Sequence, residues 1–491
     1  PLDLTNVTWL TTCYAYDGLG RQTAAWTTNL SAHVGLPATK TRYDPLGRAV
    51  SRTDALGNAT TTTYSPGGRT VSVLNPNTST AISSRNAEGH LLSVIGTAVT
   101  SEFRTYGVLS DGTRWTRTVQ GESPDSPRFT KRYENMLGQA IREERSGYRG
   151  AVLATVNAYD ACGRLVRSAS DSEPTTTYAY DEQGSRVATV RSVGGTGVSP
   201  VQWRRSETRL AYVLADGAVW HTQTNVTSCS DAAIAPLFTS QSLQLTGLTP
   251  ATPARTRTTD IRGNVTESWT DFSDGITTAR RRVPEATNIA SSRSRFGVSL
   301  ESVSVSAVTN RTIYDALGRV CMSIDGRDNV TRTEYDSFGR RSATIDAAGN
   351  STRYAYDRFG NLAAVTNALG NVTVYEYDLR GHKTYEGGAT YPVRYTYDVF
   401  GNKATMMTYR DESLGPDSGD VTTWLYDEAS GVMTNKVYAD GKGPRYDYDA
   451  NGRLVKRTWA RGIDTFYAYD GWGNLTNTTY SDDTPTVAIK Y

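Results

Sequence analysis

The chain has 491 residues, of which 37% are hydrophobic, and it contains 30 tyrosines and 44 glycines. Tyrosine favours a half-buried pleated surface and glycine marks turns, so this composition predicts β-structure. The 52 basic and 50 acidic residues leave a formal charge of +2, which gives no reason to expect binding to nucleic acid. No apolar run of 18 residues is present, so no membrane-spanning helix is expected.

Residues 1–190 are predicted to form hairpin repeats of uneven quality. The hexapeptides at 85–90 and 134–139 read as degraded copies of a Tyr-Asp turn that is clear elsewhere in this region. The clear copies place the turn aspartate and glycine at Asp17 and Gly20, at Asp44 and Gly47, and at Asp160 and Gly163.

Residues 191–310 are the least regular part of the sequence. They contain GGTG at 194–197, a proline-bearing run at 247–255 and three consecutive arginines at 280–282. A turn of the repeat type, TDIRGN at 259–264, nevertheless lies among them. We therefore interpret this region as degenerate repeats with longer loops, not as a separate domain.

Residues 311–491 are predicted to be regular repeats. YDALGR, YDSFGR, YDRFGN and YDLRGH begin at residues 314, 335, 356 and 377, so their aspartates recur every 21 residues. A second turn that lacks the tyrosine falls between successive copies. The turn aspartates and glycines here are Asp315 and Gly318, Asp336 and Gly339, Asp357 and Gly360, Asp378 and Gly381, Asp398 and Gly401, Asp449 and Gly452, and Asp470 and Gly473.

The D-x-x-G tetrad has a physical reason to form a hairpin turn. An aspartate at the first position accepts backbone N–H bonds through its carboxylate, and the glycine adopts the left-handed conformation. The stretch between turns, such as 371–377, alternates its side chains and predicts a strand of about six residues. We therefore expect an all-β antiparallel hairpin array with helix at under about 10% of residues. Strand twist should wind this array into a curved or hollow β-shell, of which the chain forms a part.

A second tyrosine often precedes the Tyr-Asp tyrosine by two residues, which places both rings on one face of a strand. Stacked repeats are expected to align these rings into a tyrosine ladder that contributes packing energy. A carbohydrate-binding aromatic surface is the alternative interpretation. The ladder consists of Tyr354, Tyr356, Tyr375, Tyr377, Tyr395, Tyr397, Tyr446, Tyr448, Tyr467 and Tyr469.

No pattern in the sequence predicts catalysis, a metal site or a cofactor site. The cysteines are Cys13, Cys162, Cys229 and Cys321, which are too widely spaced to indicate zinc binding or a disulfide framework. The histidines are His33, His90, His221 and His382, and none forms a metal-binding spacing. Aspartates are paired only through the period of the repeat, so capping of turns is their expected role.

The recurring Y-D-x-x-G-[RN] motif resembles the YD repeats of the Rhs family, which includes bacterial Rhs polymorphic toxins, insecticidal toxin-complex shells and teneurins. The resemblance implies a hollow β-shell, which in bacterial members encloses a C-terminal toxin. Those members also carry a D-P-x-G self-cleavage site. The single D-P pair here, Asp44-Pro45, lies in an ordinary repeat turn, so neither that protease site nor a toxin domain carries over.

The expected function is therefore a non-catalytic shell segment of a secreted or surface-delivered bacterial protein, with a toxin domain or further repeats of the same chain as its partner. Two alternatives remain: a cell-surface adhesin that binds carbohydrate or another cell and, more distantly, a β-helical polysaccharide lyase. The final residues, 485–491, read as a strand leading into another repeat, so we expect a fragment that lacks its natural termini. A D-P-x-G core beyond residue 491 would favour encapsulation over adhesion.

Overall fold

The computed structural model describes residues 10–29, 34–193, 202–231, 235–246, 254–273, 276–282, 289–295, 298–304, 308–389, 391–409 and 418–490. The glycine run at 194–197, most of the proline-bearing run and His33 lie outside these residues. The described residues contain forty-two strands, one 3₁₀ turn at Tyr148–Gly150 and no α-helix. The expected all-β antiparallel architecture is confirmed, as is the low helix content.

The first seventeen strands are β1 (Leu10–Tyr16), β2 (Gln22–Asn29), β3 (Val34–Gly35), β4 (Thr39–Tyr43), β5 (Ala49–Thr53), β6 (Ala59–Tyr64), β7 (Thr70–Leu74), β8 (Thr80–Arg85), β9 (Leu91–Ile95), β10 (Glu102–Val108), β11 (Arg114–Gln120), β12 (Arg128–Glu134), β13 (Ala140–Ser146), β14 (Val152–Tyr159), β15 (Leu165–Ser170), β16 (Thr175–Tyr180) and β17 (Arg186–Val193). The irregular region contributes β18 (Gln202–Ala215), β19 (Ala218–Cys229), β20 (Leu237–Gln244), β21 (Arg255–Thr259), β22 (Val265–Ser273), β23 (Ile276–Arg282), β24 (Ala290–Arg295) and β25 (Val298–Val303).

The regular repeats that follow contribute β26 (Thr309–Tyr314), β27 (Val320–Ile324), β28 (Val330–Tyr335), β29 (Arg341–Ile345), β30 (Ser351–Tyr356), β31 (Leu362–Thr366), β32 (Val372–Tyr377), β33 (Lys383–Gly388), β34 (Val393–Tyr397), β35 (Lys403–Thr408), β36 (Asp420–Tyr426), β37 (Met433–Val437), β38 (Arg445–Tyr448), β39 (Leu454–Thr458), β40 (Asp464–Tyr469), β41 (Leu475–Tyr480) and β42 (Val487–Ala488). All forty-two belong to one hydrogen-bonded sheet.

Strand β32 shows why these segments are strands. It pairs antiparallel with β31 and β33, and its exposure alternates from residue to residue. Val372 and Val374 are exposed, whereas Tyr375 and Tyr377 on the opposite face are half-buried. The register shifts at Tyr377, where the hairpin closes through its left-handed glycine. One extra residue in a ladder is a β-bulge, which such a turn requires.

The chain divides into two compact units. Unit 1 contains residues 1–12, 27–35 and 175–351, and unit 2 contains residues 13–26, 36–174 and 352–491. The chain therefore leaves unit 2 after residue 174 and returns to it at residue 352. We call residues 36–174 the early tier of unit 2 and residues 352–491 its late tier.

Each unit has a small core of its own. In unit 1, Ala218, Trp220 and Val226 of β19 are almost fully buried. In unit 2, the buried residues include Val119 and Leu153 of the early tier. Most other side chains are only half-buried, so hydrogen bonds and ion pairs at the turns contribute much of the order along the array.

Candidate functional site

The repeat turn is built around the aspartate carboxylate. In the turn that begins at Asp336, Oδ1 accepts the backbone N–H groups of Phe338 and Arg340 at 3.0 and 2.9 Å. The backbone N–H of Gly339 donates to the Asp336 carbonyl oxygen at 3.0 Å, and the φ of Gly339 is 86°. The hydrogen bonds of this turn favour the ionised carboxylate, and they lower its pKa although partial burial opposes the shift.

The turn residues named from the sequence all lie at this position. Each glycine donates its N–H to its aspartate carbonyl, and each has a φ between 74° and 94°. These pairs are Asp17 and Gly20, Asp44 and Gly47, Asp160 and Gly163, Asp315 and Gly318, Asp336 and Gly339, Asp357 and Gly360, Asp378 and Gly381, Asp398 and Gly401, Asp449 and Gly452, and Asp470 and Gly473.

The arginine or asparagine that follows the turn glycine completes the network. At this position Arg340 donates its Nε to Oδ2 of Asp336 at 2.8 Å, and Asn361 donates its Nδ2 to Oδ2 of Asp357 at 2.9 Å. The preference for Arg or Asn in the motif is therefore explained by the second carboxylate oxygen. The arginines paired in this way are Arg21, Arg48, Arg164, Arg319, Arg340 and Arg453.

The same arginines connect one repeat to the next. The Arg319 guanidinium lies 4.3 Å from the ring centroid of Tyr335, whose hydroxyl donates to the Val320 carbonyl at 2.8 Å. Arg48 stands over Tyr64 in the same way, at 4.3 Å. Burial raises the pKa of the Tyr335 hydroxyl, so the ring stays neutral and presents its face to the cation. A carboxylate, a guanidinium and an aromatic ring thus follow one another along the array.

Cationic side chains also enter the predicted tyrosine ladder. The Nζ of Lys383 lies 5.3 Å from the ring centroid of Tyr375 and 5.8 Å from that of Tyr395. The Nζ of Lys403 lies 4.1 Å from the Tyr395 ring and 5.7 Å from the Trp424 ring. The rings occupy one half-buried face, and lysines alternate with them there, which the spacing of the tyrosines did not predict.

A second network, which we call the seam, joins the two tiers of unit 2. In each late-tier turn concerned, the carbonyl of a residue inside the turn accepts a hydrogen bond from a side chain about 300 residues earlier. Asn58 Nδ2 donates to Arg358 O at 2.9 Å, and Asn77 Nδ2 donates to Leu379 O at 2.9 Å. The hydroxyls of Thr100 and Ser146 donate to Val399 O at 3.1 Å and to Ala429 O at 2.7 Å.

Unit 1 contains one contact of the same chemistry. The buried side chain of Asn29 donates Nδ2 to the carbonyl of Ala316 at 2.7 Å, across 287 positions of sequence. Ala316 follows Asp315 just as Arg358 follows Asp357. The carbonyl after the turn aspartate therefore serves as an acceptor in both units.

Arg380 reinforces the seam at a single point. Its Nη1 donates to Val399 O at 2.7 Å, its Nη2 to Val99 O at 2.9 Å and its Nε to Thr97 O at 3.3 Å. One guanidinium thus ties two neighbouring late-tier turns to one early-tier turn. A planar fork with several donors suits this geometry, whereas a lysine ammonium would satisfy fewer of the acceptors.

The early-tier loop around Arg149 inserts against the late tier. Arg149 has a φ of 55°, which is uncommon for a residue other than glycine. Its backbone N–H donates to Asp427 at 3.2 Å, and its Nη2 bonds Asp447 at 2.9 Å. The adjacent Tyr148 is buried, and its ring meets the Tyr448 ring edge-on at 5.4 Å. These contacts hold the loop in its strained conformation.

A cleft of about 680 Å³ lies along the seam of unit 2. The Arg128 guanidinium stacks on the Phe400 ring there at 3.6 Å, and burial lowers the pKa of Arg128. Asp398 lines the same cleft, but its carboxylate already accepts the N–H groups of Phe400 and Asn402 at 2.9 Å. Arg128 therefore serves packing in this cleft, and Asp398 serves its own turn.

The described residues include no cluster of three or more histidine, cysteine or carboxylate side chains that could hold a metal ion. Cys13, Cys162, Cys229 and Cys321 are free thiols. His382 contacts Asp378 at 2.9 Å as part of its own turn, and His90 and His221 contact single tyrosine rings. The described residues contain no candidate for a membrane-spanning helix.

A family model for the RHS repeat matches residues 43–80, 314–352, 335–372, 356–384 and 448–485. No curated protein matches the chain. The fold is similar to that of a chain in the Photorhabdus luminescens Tc holotoxin pore with a TccC3 mutation, at 13% identity and a TM-score of 0.53. That match covers 96% of this chain and 30% of the other.

A crystal structure of TcdB2-TccC3-TEV also matches, at 14% identity and a TM-score of 0.49, over 97% of this chain and 28% of that chain. The chain described here thus spans less than a third of the length of these two solved chains.

Proposed function

We propose that this chain, which carries RHS repeats, forms a non-catalytic segment of a β-wall that encloses a polypeptide cargo. The observation that carries the proposal is the seam of unit 2. Side-chain donors of the early tier bond turn carbonyls of the late tier at four places, so the turns of two passes of chain are hydrogen-bonded to each other. A surface built from successive passes needs this property if it is to retain what lies behind it.

The hydrogen bonds made by the turn carboxylates support a structural wall rather than an enzyme. General acid–base catalysis needs a titratable group that is free to reach a substrate proton. In the described repeat turns, carboxylates such as those of Asp336 and Asp357 accept backbone N–H groups and the side chain of the residue that follows the turn glycine. Such carboxylates stabilise turns.

The proposed cargo is a toxin or effector domain, and the proposed setting is a protein that a bacterium secretes or delivers at its surface. The similarity in fold to a chain of the Photorhabdus luminescens Tc holotoxin pore supports a role in a toxin complex. The RHS-repeat matches in both tiers of unit 2 support the same assignment.

Protection from a protease tests the proposal. The longest natural reading frame that contains this chain is digested under native conditions, and its fragments are identified by mass spectrometry. We expect a cargo segment that is cleaved rapidly when expressed alone to resist cleavage within the whole protein. Opening the seam with Asn58→Asp and Asn77→Asp should restore cleavage, because a carboxylate repels the carbonyl that each amide now bonds.

Asn350→Asp is the matched control, because the Nδ2 of Asn350 bonds Asp346 within its own turn. The absence of any protected segment would contradict the proposal. Turnover of a polysaccharide or peptide that one aspartate substitution abolishes would contradict its non-catalytic part. Glycan binding that is lost on Tyr→Ala changes without loss of fold would instead establish an adhesin.

A further inference from the structure

The hairpin formed by β18 and β19 differs from the repeats around it. These strands have 14 and 12 residues, whereas the strands of the regular repeats have about six. β18 pairs with β17 only from Gln202 to Glu207, but it pairs with β19 as far as Ala215. Among the described strands, none pairs with the other edge of residues 208–215.

This free edge is unusually apolar. Leu210 is 57% exposed, Tyr212 is 73% exposed and Leu214 is 75% exposed. Residues 209–214 are all exposed, so both faces of the strand meet solvent as well as its edge. Natural sheets protect such edges with charge, proline or a cover, because a bare apolar edge recruits another strand.

The hairpin is held firmly, so the edge is not a frayed end. At its tip, Asp216 bonds Arg257 of β21 at 2.7 Å, and the Arg257 guanidinium lies 4.2 Å from the Trp220 ring centroid. The Trp220 indole N–H donates to the Ala215 carbonyl at 3.2 Å. Arg257 also bonds Glu267 at 2.8 Å, which fixes it to β22.

The geometry of the turn decides which backbone groups face outward. The two residues Asp216 and Gly217 have positive φ and connect the paired residues Ala215 and Ala218. In a two-residue hairpin the closing pair is hydrogen-bonded, and bonded and non-bonded pairs alternate from there. The N–H and C=O groups of Leu210, Tyr212 and Leu214 therefore point away from β19, toward the free edge.

We propose that this edge pairs antiparallel with the same edge of a second copy of the chain, forming a two-fold dimer through a continuous sheet. An antiparallel pair with two-fold symmetry places one residue opposite itself. If that residue is Tyr212, Leu210 faces Leu214 of the second copy, and Ala211 faces Val213 of the second copy. The order Leu-Ala-Tyr-Val-Leu is apolar and balanced in size about its centre, as this register requires.

Charge also favours a second copy as the occupant. In the register centred on Tyr212, Arg209 lies opposite Ala215 of the second copy, so no two like charges meet directly. Arg209 already bonds Glu207 of its own strand at 2.9 Å. A strand of an unrelated protein could pair with an edge of any sequence. An edge that pairs with a second copy of itself needs a sequence that is balanced about its centre, as this one is.

Sedimentation velocity over a range of concentrations tests the proposal with the 491-residue chain. We expect the unaltered chain to show a reversible species of twice the monomer mass. The double variant Leu210→Lys with Leu214→Lys places lysine opposite lysine twice. It should weaken dimerisation at least about a hundredfold, since directly opposed like charges cost several kcal/mol.

The double variant Leu210→Glu with Leu214→Lys makes the decisive comparison, because the same register now pairs opposite charges. It should dimerise at low salt and dissociate as salt screens the pairs. Leu46→Lys with Leu369→Lys adds the same charge at exposed turn positions of unit 2 and should leave dimerisation unchanged. Far-UV circular dichroism establishes that each variant is folded.

Three results would overturn the proposal. The first is an unaltered chain that stays monomeric at all concentrations, even if it binds another peptide. The second is a dimer that persists in the variant with two lysines. The third is the formation of open-ended polymers in place of a closed dimer.

Discussion

The Nδ2 atom of Asn58 donates a hydrogen bond of 2.9 Å to the main-chain oxygen of Arg358, a residue 300 positions later in the chain. The same amide lies 3.3 Å from Oδ2 of Asp54, the aspartate of its own turn. One side chain thus stabilises a local turn and also joins the two tiers of unit 2. Substitutions at seam residues such as Asn58 can therefore test whether the tiers are joined.

Removing two seam amides should loosen the late tier. We expect Asn58→Ala with Asn77→Ala to lower the free energy of unfolding by roughly 0.5–1 kcal/mol per hydrogen bond, the usual net value for such bonds. Hydrogen exchange should become faster in the turns that contain Arg358 and Leu379. Asn350→Ala removes only a bond within one turn, so it should leave exchange in those late-tier turns unchanged. If Asn350→Ala accelerated exchange in the late-tier turns as much as Asn58→Ala with Asn77→Ala, that result would argue against a specific seam.

Substitution of a glycine with positive φ should destabilise the fold, and the loss should be larger at Gly360 than at Gly349. Gly349 and Gly360 have φ values of 85° and 94°, so Gly→Val at either should cost more than about 1 kcal/mol. A Cβ at Gly360 would also approach Leu56 Cδ1 of the early tier at 3.2 Å, whereas Gly349 has open space. Urea unfolding should therefore show the larger loss for Gly360→Val. Gly18→Ala, at a turn position with open space and no positive φ, should cost little.

The turn carboxylates should make the protein sensitive to acid. Hydrogen bonds from the Arg164 backbone and side chain hold the pKa of Asp160 below its ordinary value of 3.8. A lowered folded pKa contributes stability that is complete above the unfolded pKa and is lost as pH falls through the folded pKa. The urea midpoint should therefore stay nearly constant from neutral pH to about pH 5 and fall below about pH 4.

Asp160→Asn should lessen that acid-induced loss, because asparagine keeps an acceptor oxygen but does not titrate. Several other turn aspartates have lowered pKa values and should add to the effect in the unaltered chain, among them Asp17, Asp44, Asp260, Asp325, Asp336, Asp346 and Asp378. Stability that rises on acidification below pH 4 would be inconsistent with these bonds.

Arg380 should not be replaceable by lysine. The three acceptors of its guanidinium are Thr97 O, Val99 O and Val399 O, and an ammonium group cannot reach all three in one plane. We expect Arg380→Lys to cost roughly 1–2 kcal/mol in urea unfolding, since bonds to charged groups exceed neutral ones. Arg311→Lys is a suitable control, because Arg311 forms a long ion pair with Glu301, at 3.8 Å. If Arg380→Lys left the free energy of unfolding unchanged, the positive charge alone would account for the contribution of Arg380.

The sequence predicted the turns and strands, because their conformation depends on residues that are close together in the chain. A turn such as 336–339 carries its aspartate, its glycine and the following arginine within five residues, so its conformation follows from near neighbours. The strands follow from alternation, as Val374 and Tyr375 show. The seam could not be predicted in this way, because Asn58 and Asn350 follow the same kind of turn, yet the side chain of Asn58 bonds a carbonyl 300 residues away and that of Asn350 bonds the aspartate of its own turn.

The free edge of β18 also escaped prediction, for a related reason. Its residues read as an ordinary strand, and its exposure depends on how far β17 extends alongside it. The lysines among the tyrosines, such as Lys383, were equally hidden, since their position depends on register between strands. Contacts across strands and tiers therefore required the structure.

The stacking of the two tiers can be measured directly as a distance. Spin labels at Arg52 of β5 and Arg353 of β30 would sit on exposed positions of the early and late tiers, with the four native cysteines replaced by serine. The two strands are twenty-five apart in sequence, so a flat array would separate the labels by roughly 120 Å at about 4.8 Å per strand. Since both positions lie within a few residues of the bonded turns, dipolar spectroscopy should give a distance of roughly 20–30 Å. A distribution centred above about 60 Å would contradict the stacking of the tiers, and with it the wall.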